Sequence, residues 1–402
     1  MNEDRLRALL RETPIPGAEE AERRGLEMVD RAFTARVQRP RPVLPRLAVA
    51  LAGATLLAAL LLTPAGAAVR DWIDDAFTVG VHDAEPALTE VPGGGQLLVT
   101  SPEGSWVVQP DGSRRLLGSY EEATWSPHGL FVGATSGHTL SAVEPDGTVR
   151  WSLSADAPVT GPRWSPSGVR IAYRAGNALR VVVGDGTGDA LLATGTAPVP
   201  PVWSPQGQHM LAYVDARRRL RIVNTDMGVV LTSTAAQAGN VELGWSDDGS
   251  LLLEAAPGSL VLRELITSKL TGFDFGQARR IPLPSGATVR SASFSPSGER
   301  IAALLDLSGQ EKRQQRSEVV LIGAEGNSAR TLFTAPGRLS DLAWSPNGSR
   351  LLIGWPDADQ WLFVPANGRG RVRAVGGISM EFSPGAPGSA AFPRLDGWCC
   401  QR

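Results

Sequence analysis

The sequence has few of the residues that most often bind metals or form cross-links. It holds two cysteines, Cys399 and Cys400, and they are neighbours. Disulfide geometry places the two Cα atoms about 4.4 to 6.8 Å apart in an unstrained link, so adjacent cysteines rarely bridge each other. The sequence therefore predicts no disulfide framework. It leaves open two free thiols in a C-terminal tail or a disulfide to another chain in an oxidising compartment.

Signals for catalysis and cofactor binding are also scarce. The four histidines are scattered, at His82, His128, His138 and His209. This spacing is not that of a metal site, and Asp247-Asp248 is interpreted as a variant turn. No G-x-S-x-G elbow, phosphate-binding loop, dinucleotide fingerprint or EF-hand loop is present. We expect no metal and no cofactor, and the net charge of −2 argues against nucleic-acid binding.

What the sequence does contain is a phrase that recurs seven times, an aromatic residue followed by Ser-Pro-x-Gly or a close variant. Its copies begin at Trp125, Trp164, Trp203, Trp245, Phe294, Trp344 and Phe382, at spacings of 39, 39, 42, 49, 50 and 38 residues. A period of about 40 to 45 residues with this signature is typical of a β-propeller. We interpret the seven aromatics as residues that pack between neighbouring blades, because a single sheet cannot bury both of its faces.

The unit that begins at Trp164 shows how the phrase is used. Pro166 presets φ at the first corner of a turn, and Gly168 accepts a positive φ at its far end. Three further strands are predicted over 169–173, 179–183 and 190–193, with turn signals between them. Four short antiparallel strands of this kind make one propeller blade.

The two ends of the repeat predict how the ring closes. Before Trp125, strands are predicted over 97–100, 106–109 and 114–117, without a first strand. At the other end, 378–382 is predicted as a first strand. Joining the two ends completes one blade and removes exposed sheet edges. With six internal blades the ring has seven, while the two widest spacings leave six or eight blades as alternatives.

The phrase resembles that of the TolB-like, WD40-like (PD40-type) β-propeller repeat family of bacteria, over residues 90 to 398. The resemblance implies an all-β propeller. It implies no single function, because that family includes periplasmic interaction modules, propeller domains of serine peptidases and membrane-anchored proteins. No hydrolase domain follows the repeat here, which argues against the peptidase branch.

A long apolar run predicts one transmembrane helix. Residues 47–69 carry no charge between Arg46 and Arg70, and a helix of this length can cross a hydrocarbon core of about 30 Å. Arginines precede the run and aspartates follow it, which predicts a single-pass cell-membrane protein with a cytoplasmic N-terminus and an extracytoplasmic propeller. The alternative is secretion after signal cleavage near Ala67.

These features divide the chain into five parts. We predict a cytoplasmic helical tail and basic linker at 1–46, the transmembrane helix at 47–69, a juxtamembrane linker at 70–92, the propeller at 93–398 and a C-terminal tail at 399–402. This layout resembles that of transmembrane anti-sigma factors, although the His-x-x-x-Cys-x-x-Cys motif of their zinc-binding members is absent. The tail either lies near the inner leaflet or binds a cytoplasmic regulator.

Two basic segments depart from the repeat. The polar insertion from Asp306 to Glu318 is a candidate rim binding loop, with Glu311, Lys312, Arg313 and Arg316 as its charged residues. The alternative is a solvated hairpin. The cluster at Arg217, Arg218 and Arg219 is explained by a turn and the start of a strand.

The sequence thus predicts a non-enzymatic, membrane-anchored propeller that binds a protein or envelope ligand through one rim. The alternative is a signalling protein of anti-sigma-factor-like layout with the propeller as sensor. A third hypothesis is an enzyme working in the propeller channel, against which the scattered histidines argue.

Overall fold

The structure is a computed structural model, and it describes residues 84–400 except 86, 207–208, 240–241, 269–271, 309–314, 327 and 384–389. The predicted tail at 1–46 and the predicted transmembrane helix at 47–69 lie outside the described residues. Within the described part, no helix is both long and apolar enough to cross a membrane.

The described residues form seven four-stranded antiparallel sheets, each built by chain neighbours except the first. Blade 1 contains β28 (Arg394–Cys399), β1 (Gln96–Ser101), β2 (Gly104–Val108) and β3 (Arg114–Gly118). Blade 2 contains β4 (Glu122–Trp125), β5 (Val132–Ser136), β6 (Thr139–Val143) and β7 (Val149–Ser154). Blade 3 contains β8 (Val159–Trp164), β9 (Arg170–Ala175), β10 (Ala178–Val183) and β11 (Ala190–Ala193).

The other four blades follow the same order. Blade 4 contains β12 (Val202–Trp203), β13 (Met210–Val214), β14 (Arg219–Asn224) and β15 (Val229–Ala235). Blade 5 contains β16 (Glu242–Trp245), β17 (Leu251–Ala256), β18 (Ser259–Ser268) and β19 (Gly272–Ile281). Blade 6 contains β20 (Ala287–Phe294), β21 (Arg300–Ser308), β22 (Gln315–Gly323) and β23 (Ala329–Pro336). Blade 7 contains β24 (Leu342–Trp344), β25 (Arg350–Trp355), a 3₁₀ turn (Pro356–Ala358), β26 (Gln360–Pro365) and β27 (Arg373–Gly376), and is followed by the short helix α1 (Ile378–Glu381).

The apolar core lies between blades. Seven clusters of buried side chains occur among the described residues, and each one joins two neighbouring blades. Blades 7 and 1 share one of them, in which Trp361 and Phe363 meet Leu97 and Val99. The prediction of an all-β ring of seven blades is confirmed, and the alternatives of six or eight are wrong.

The seventh aromatic is Trp398, not Phe382. Six phrase aromatics end the first strand of a blade, and each pairs with a residue at the start of the second strand. The pairs are Trp125 with Val132, Trp164 with Ile171, Trp203 with Leu211, Trp245 with Leu252, Phe294 with Ile301, and Trp344 with Leu351. Trp398 on β28 faces Leu97 on β1 in the same way. The predicted closure of the ring is therefore present, with a different closing strand.

The prediction of a first strand at 378–382 is wrong. Gly377 turns the chain at a φ of 73°, and residues 378–381 form α1. Phe382 follows this helix and is fully buried, with its ring centroid 5.2 Å from that of Trp361 and 5.8 Å from that of Trp106. It packs between blades 7 and 1 from the end of a helix. The Ser-Pro-Gly that follows it in the sequence therefore matches the phrase without a first strand before it.

The serine of the phrase organises the turn after each first strand. The hydroxyl of Ser165 accepts the N–H of Arg170 at 3.1 Å, and its carbonyl accepts the N–H of Gly168 at 2.9 Å. The same two bonds are made in four other blades, by Ser126, Ser246, Ser295 and Ser345. We call the end of the ring that carries these turns the phrase end, and the opposite end, where the first strands begin, the mouth end.

The glycine of the phrase lies against the turn of the preceding blade. Gly298 has a φ of 72°, and a Cβ there would lie 2.9 Å from the backbone nitrogen of Asp247 in blade 5. Only glycine meets both demands without strain.

The segment before β1 covers the outer edge of blade 7. Glu85 forms a parallel bridge with Val375, donates its N–H to Ala374 at 2.9 Å and accepts that of Gly376 at 2.9 Å. Arg373 contacts both carboxylate oxygens of Glu85 at 2.6 Å. Residues that the sequence assigned to a linker thus pair with a strand edge that would otherwise be open.

Replacement of Trp398 is expected to lower the free energy of unfolding of the ring far more than a substitution on an outer strand does. Trp398→Ala removes a buried indole whose N–H donates to the Gly94 carbonyl at 2.7 Å, and should lower the free energy of unfolding by about 3–5 kcal/mol. The control Leu191→Ala, where the side chain is 54% exposed, should change it by no more than about 0.5 kcal/mol. Denaturant unfolding of the full chain, followed by circular dichroism, measures both. Equal stability of the two variants would contradict the role of Trp398 in closure.

Candidate functional site

The first strands of the blades enclose a charged cavity on the axis of the ring. It has a volume of about 380 Å³ and takes side chains from all seven blades, which identifies the first strand of each sheet as the inner one. Its charged lining consists of Glu122, Arg163, Glu242, Arg290, Asp341, Arg394 and Asp396. We call this cavity the axial site.

Three of its carboxylates occupy the same place in the repeat. Glu122, Glu242 and Asp341 each stand three residues before the aromatic of their phrase. Glu122 accepts the N–H of Gly161 at 2.6 Å, and Glu242 accepts that of Ala292 at 3.0 Å. Asp341 accepts the N–H of Leu395. Each carboxylate thus bridges to the inner strand of the next blade while lining the cavity.

Burial raises the pKa of each of three carboxyl groups above its usual value, those of Glu242, Asp341 and Asp396. These side chains are half-buried, and the inner strands around them exclude part of the water that would otherwise solvate a carboxylate. For Glu242, the rise is opposed by the N–H of Ala292, the hydroxyl of Ser291 and the charge of Arg163. The site therefore binds protons more tightly than exposed carboxylates do.

Arg163 differs from the other two cations of the axial site, Arg290 and Arg394, in the kind of partner that it has. Arg394 pairs with Asp396 at 2.7 Å, and Arg290 pairs with Asp306 at 2.5 Å. Arg163 donates to the Pro162 carbonyl at 2.8 Å and has no ion pair within the described residues. Burial lowers the pKa of its guanidinium, while Glu242, Glu122 and Asp396 oppose that effect. Its remaining N–H groups can donate to a ligand in the cavity.

The structure places the borders of the predicted rim loop at the mouth end. Ser308 pairs with Gln315 at the end of the β21–β22 hairpin, on the side where β20 begins. Arg316 is exposed and contacts Glu318 at 2.7 Å. The other predicted rim residues, Glu311, Lys312 and Arg313, lie outside the described residues. The chain therefore enters and leaves the insertion on the side of the axial site.

The basic cluster at Arg217–Arg219 is held by a buried aspartate. Asp215 accepts the N–H groups of Arg217 and Arg219 at 2.9 Å and pairs with Arg221 at 2.7 Å. Burial would raise the pKa of Asp215, but these hydrogen bonds and the Arg221 charge together lower it. The interpretation as a turn and strand start matches this arrangement.

The phrase end carries a second cavity of about 440 Å³. Its lining consists of Pro127, His128, Pro296, Pro346, Trp398, Cys399 and Cys400. Cys399 and Cys400 lie next to each other in this lining, and the expectation of an unbridged pair stays a prediction. The strand β28 places both side chains at the same turn. No group of three or more metal-ligating side chains occurs among the described residues.

An apolar groove lies between blades 2 and 3. It has a volume of about 560 Å³, with Phe131, Trp151 and Val169 among its lining residues. Trp151 donates its indole N–H to the Gly184 carbonyl at 2.9 Å and so joins the two blades. The groove lacks the convergent charged groups of the axial site.

The phrase aromatics themselves lie away from the axial site. Three indoles donate across the blade boundary to the inner strand before them: Trp203 to the Arg163 carbonyl at 2.8 Å, and Trp245 and Trp344 to those of Val202 and Ser293 at 3.3 Å. Sequence reasoning missed the axial residues. Their signal was present as an acidic residue three positions before Trp125, Trp245 and Trp344.

Comparisons with known proteins show the fold alone. No protein-family model matches the sequence, and no curated protein sequence is similar to it. The β-propeller domain of Cps50 (Swd1) from Myceliophteria thermophila is similar with a TM-score of 0.52 and 16% identity, over 68% of this chain and 93% of that one. KlHsv2 with loop 6CD replaced by a Gly-Ser linker is similar with a TM-score of 0.50 and 12% identity, over 70% of this chain and 92% of that one.

Hydrazine synthase of Kuenenia stuttgartiensis matches with a TM-score of 0.48 and 15% identity, over 62% of this chain and 77% of that one. A similarity this low carries no argument about chemistry. The chain is a seven-bladed β-propeller, the fold that it shares with the Cps50 (Swd1) domain.

The pH dependence of stability is expected to report the raised pKa of Glu242. A carboxyl group whose pKa is higher in the folded than in the unfolded protein stabilises the fold less as the pH rises through the interval between the two values. Glu242→Gln removes this effect, so the stability of the variant relative to the natural protein should increase as the pH rises from 4 to 7, a range of about three units.

Asp185→Asn supplies a control of opposite sign. Hydrogen bonds from Thr187 lower the pKa of Asp185 on its exposed turn, so this variant should lose relative stability as the pH rises from about 2 to 4, below the range in which Glu242→Gln gains it. Chemical unfolding at several pH values measures both variants. Slopes of the same sign would show that Glu242 does not have a raised pKa.

Proposed function

We propose that this protein is a membrane-anchored, extracytoplasmic β-propeller that binds a partner at the mouth end of its ring. The observation that carries this proposal is the axial site, where six of the seven blades bring charged groups of both signs into one cavity. The partner we propose is a protein of the cell envelope that inserts a polar segment into the cavity.

The chemistry of the axial site favours a segment with both donors and acceptors. Arg163 offers N–H donors, whereas Glu122, Glu242 and Asp341 offer carboxylate oxygens beyond those used by backbone N–H groups. An apolar ligand would leave these groups desolvated and unpaired, which costs about 1–3 kcal/mol for each of them. Arg316, at the described border of the charged insertion between β21 and β22, lies at the same end of the ring and would add a charged group to the contact.

The proposed placement and family rest on the sequence. The apolar run at 47–69 supports a single membrane anchor, and the arginines before it support a cytoplasmic N-terminus. The repeated phrase supports membership of the TolB-like, WD40-like bacterial family. We propose a binding role and no catalysis, since a hydrogen-bonded carboxylate at a blade boundary is already used in holding the ring.

Arg163→Gln is expected to abolish partner capture. The full chain, cross-linked in native membranes and purified by affinity, should recover a defined protein, and the variant should recover at least about tenfold less, because a charged donor inside a desolvated contact is worth about 2–5 kcal/mol. The control Arg371→Gln changes an exposed arginine near the phrase end and should leave recovery unchanged. Equal recovery with both variants, or no protein with the natural chain, would refute binding at the axial site. The same capture with a chain that lacks residues 1–46 tests whether the tail binds a cytoplasmic partner.

The mass of the mature protein is expected to match the uncleaved chain of 42.5 kDa. A retained apolar run anchors the propeller, whereas a signal peptide would be removed. Intact mass spectrometry of the membrane fraction measures this directly. Loss of roughly the first 67 residues, with the propeller in the soluble fraction, would contradict the anchor.

A further inference from the structure

Arginines begin the second strand of three blades. Arg170, Arg300 and Arg350 each stand six residues after the aromatic of their phrase, at the phrase end of the ring. Arg170 of blade 3 reaches the turn between the third and fourth strands of blade 4, where it donates to Thr225 Oγ1 at 2.8 Å and pairs with Asp226 at 2.5 Å. The boundary between blades 3 and 4 thus supplies its arginine with a counter-ion.

The boundary between blades 6 and 7 has an amide where that carboxylate stands. Arg300 of blade 6 reaches the equivalent turn of blade 7 and donates to the Ala366 carbonyl at 3.0 Å. Ala366 matches Thr225, because each follows the end of a third strand and donates its N–H to the carbonyl of the residue just before a second strand. The next residue is Asp226 in blade 4 and Asn367 in blade 7. Arg300 therefore lacks the carboxylate that Arg170 has.

A second arginine brings another positive charge to the same place. Arg330, at the start of the fourth strand of blade 6, donates to the Ala366 carbonyl at 3.2 Å. Arg300 is held in position by the Gly348 carbonyl at 3.2 Å and by the ring of Trp344, whose centroid lies 5.3 Å from the guanidinium carbon. Neither arginine pairs with a carboxylate of the described residues. Two guanidinium groups thus meet at one carbonyl oxygen without a counter-ion.

We propose that Arg300 and Arg330 bind a phosphate group, either the free anion or a phosphate monoester. Two like charges repel each other when no anion lies between them, and a phosphate with nearly two negative charges neutralises both. Guanidinium N–H groups match phosphate oxygens in geometry and form charge-assisted hydrogen bonds with them. The oxygen of the Asn367 amide accepts the N–H of Arg369 at 2.8 Å, and its nitrogen is a further donor. Arg330 and Asn367 are exposed, so a ligand reaches the site from solvent.

Calorimetric titration of the purified full chain with inorganic phosphate at low salt tests the site. One phosphate should bind per chain, and acetate should bind at least about tenfold more weakly, because it brings one negative charge to two guanidinium groups. Glycerol 3-phosphate distinguishes the two sources of the phosphate. An affinity equal to that of inorganic phosphate supports an esterified ligand, whereas binding of inorganic phosphate alone supports the free anion.

Two substitutions at exposed positions locate the bound phosphate. Arg330→Gln should weaken binding at least about tenfold, because one charged donor is lost. Asn367→Asp should abolish binding, because it places a carboxylate beside Arg300, as at the boundary between blades 3 and 4. The matched control Arg218→Gln removes an exposed arginine from another blade and should leave the affinity unchanged.

Thermal unfolding without phosphate checks that each variant keeps the fold of the natural chain. The proposal is overturned when the natural chain shows no saturable binding, when all three variants bind phosphate equally, or when acetate binds as tightly as phosphate. None of the substituted residues lines the axial site, so the result does not depend on whether a partner binds there.

Discussion

The antiparallel pairing of β28 with β1 is the contact on which the rest of the structure depends. These strands lie near opposite ends of the described chain, with Trp398 facing Leu97. Each apolar cluster belongs to two blades, so a ring left open would expose a face of blade 1 and a face of blade 7. Closure is therefore a condition for burying the core of the terminal blades. The entropic cost of so long a loop grows only slowly with its length.

The recurring phrase solves one local problem in each blade. A first strand near the axis must reverse into the second strand within five or six residues, and the serine hydroxyl and the glycine N–H supply the two bonds that hold this turn. The glycine also leaves room for the turn of the blade before it. The phrase thus specifies both a turn and a contact between blades, which explains why it recurs without indicating a ligand.

The sequence predicted those features that depend on local chemistry. The blade number and the ring closure follow from turn residues and period, and both are confirmed. The closing strand was misplaced because Phe382 is followed by Ser-Pro-Gly, whereas Trp398 is followed by two cysteines and has no phrase to mark it. The pairing of β28 with β1 depends on the other six blades, because they bring these two distant strands together. The axial residues were missed because each blade contributes only one or two of them, and their proximity exists only once the ring has closed.

The same carboxylates hold the ring and line its cavity, so the proposed binding would act on the contacts between blades. Glu122, Glu242 and Asp341 each accept an N–H from the next inner strand, so a ligand that draws on their free oxygens acts on three blade boundaries at once. The closing strand β28 extends this link along the axis, since Arg394 and Asp396 lie in the axial site and Cys399 lies at the phrase end. Because all of these residues share one six-residue strand, a change at either end of β28 acts on its pairing with β1 and thereby on the other end.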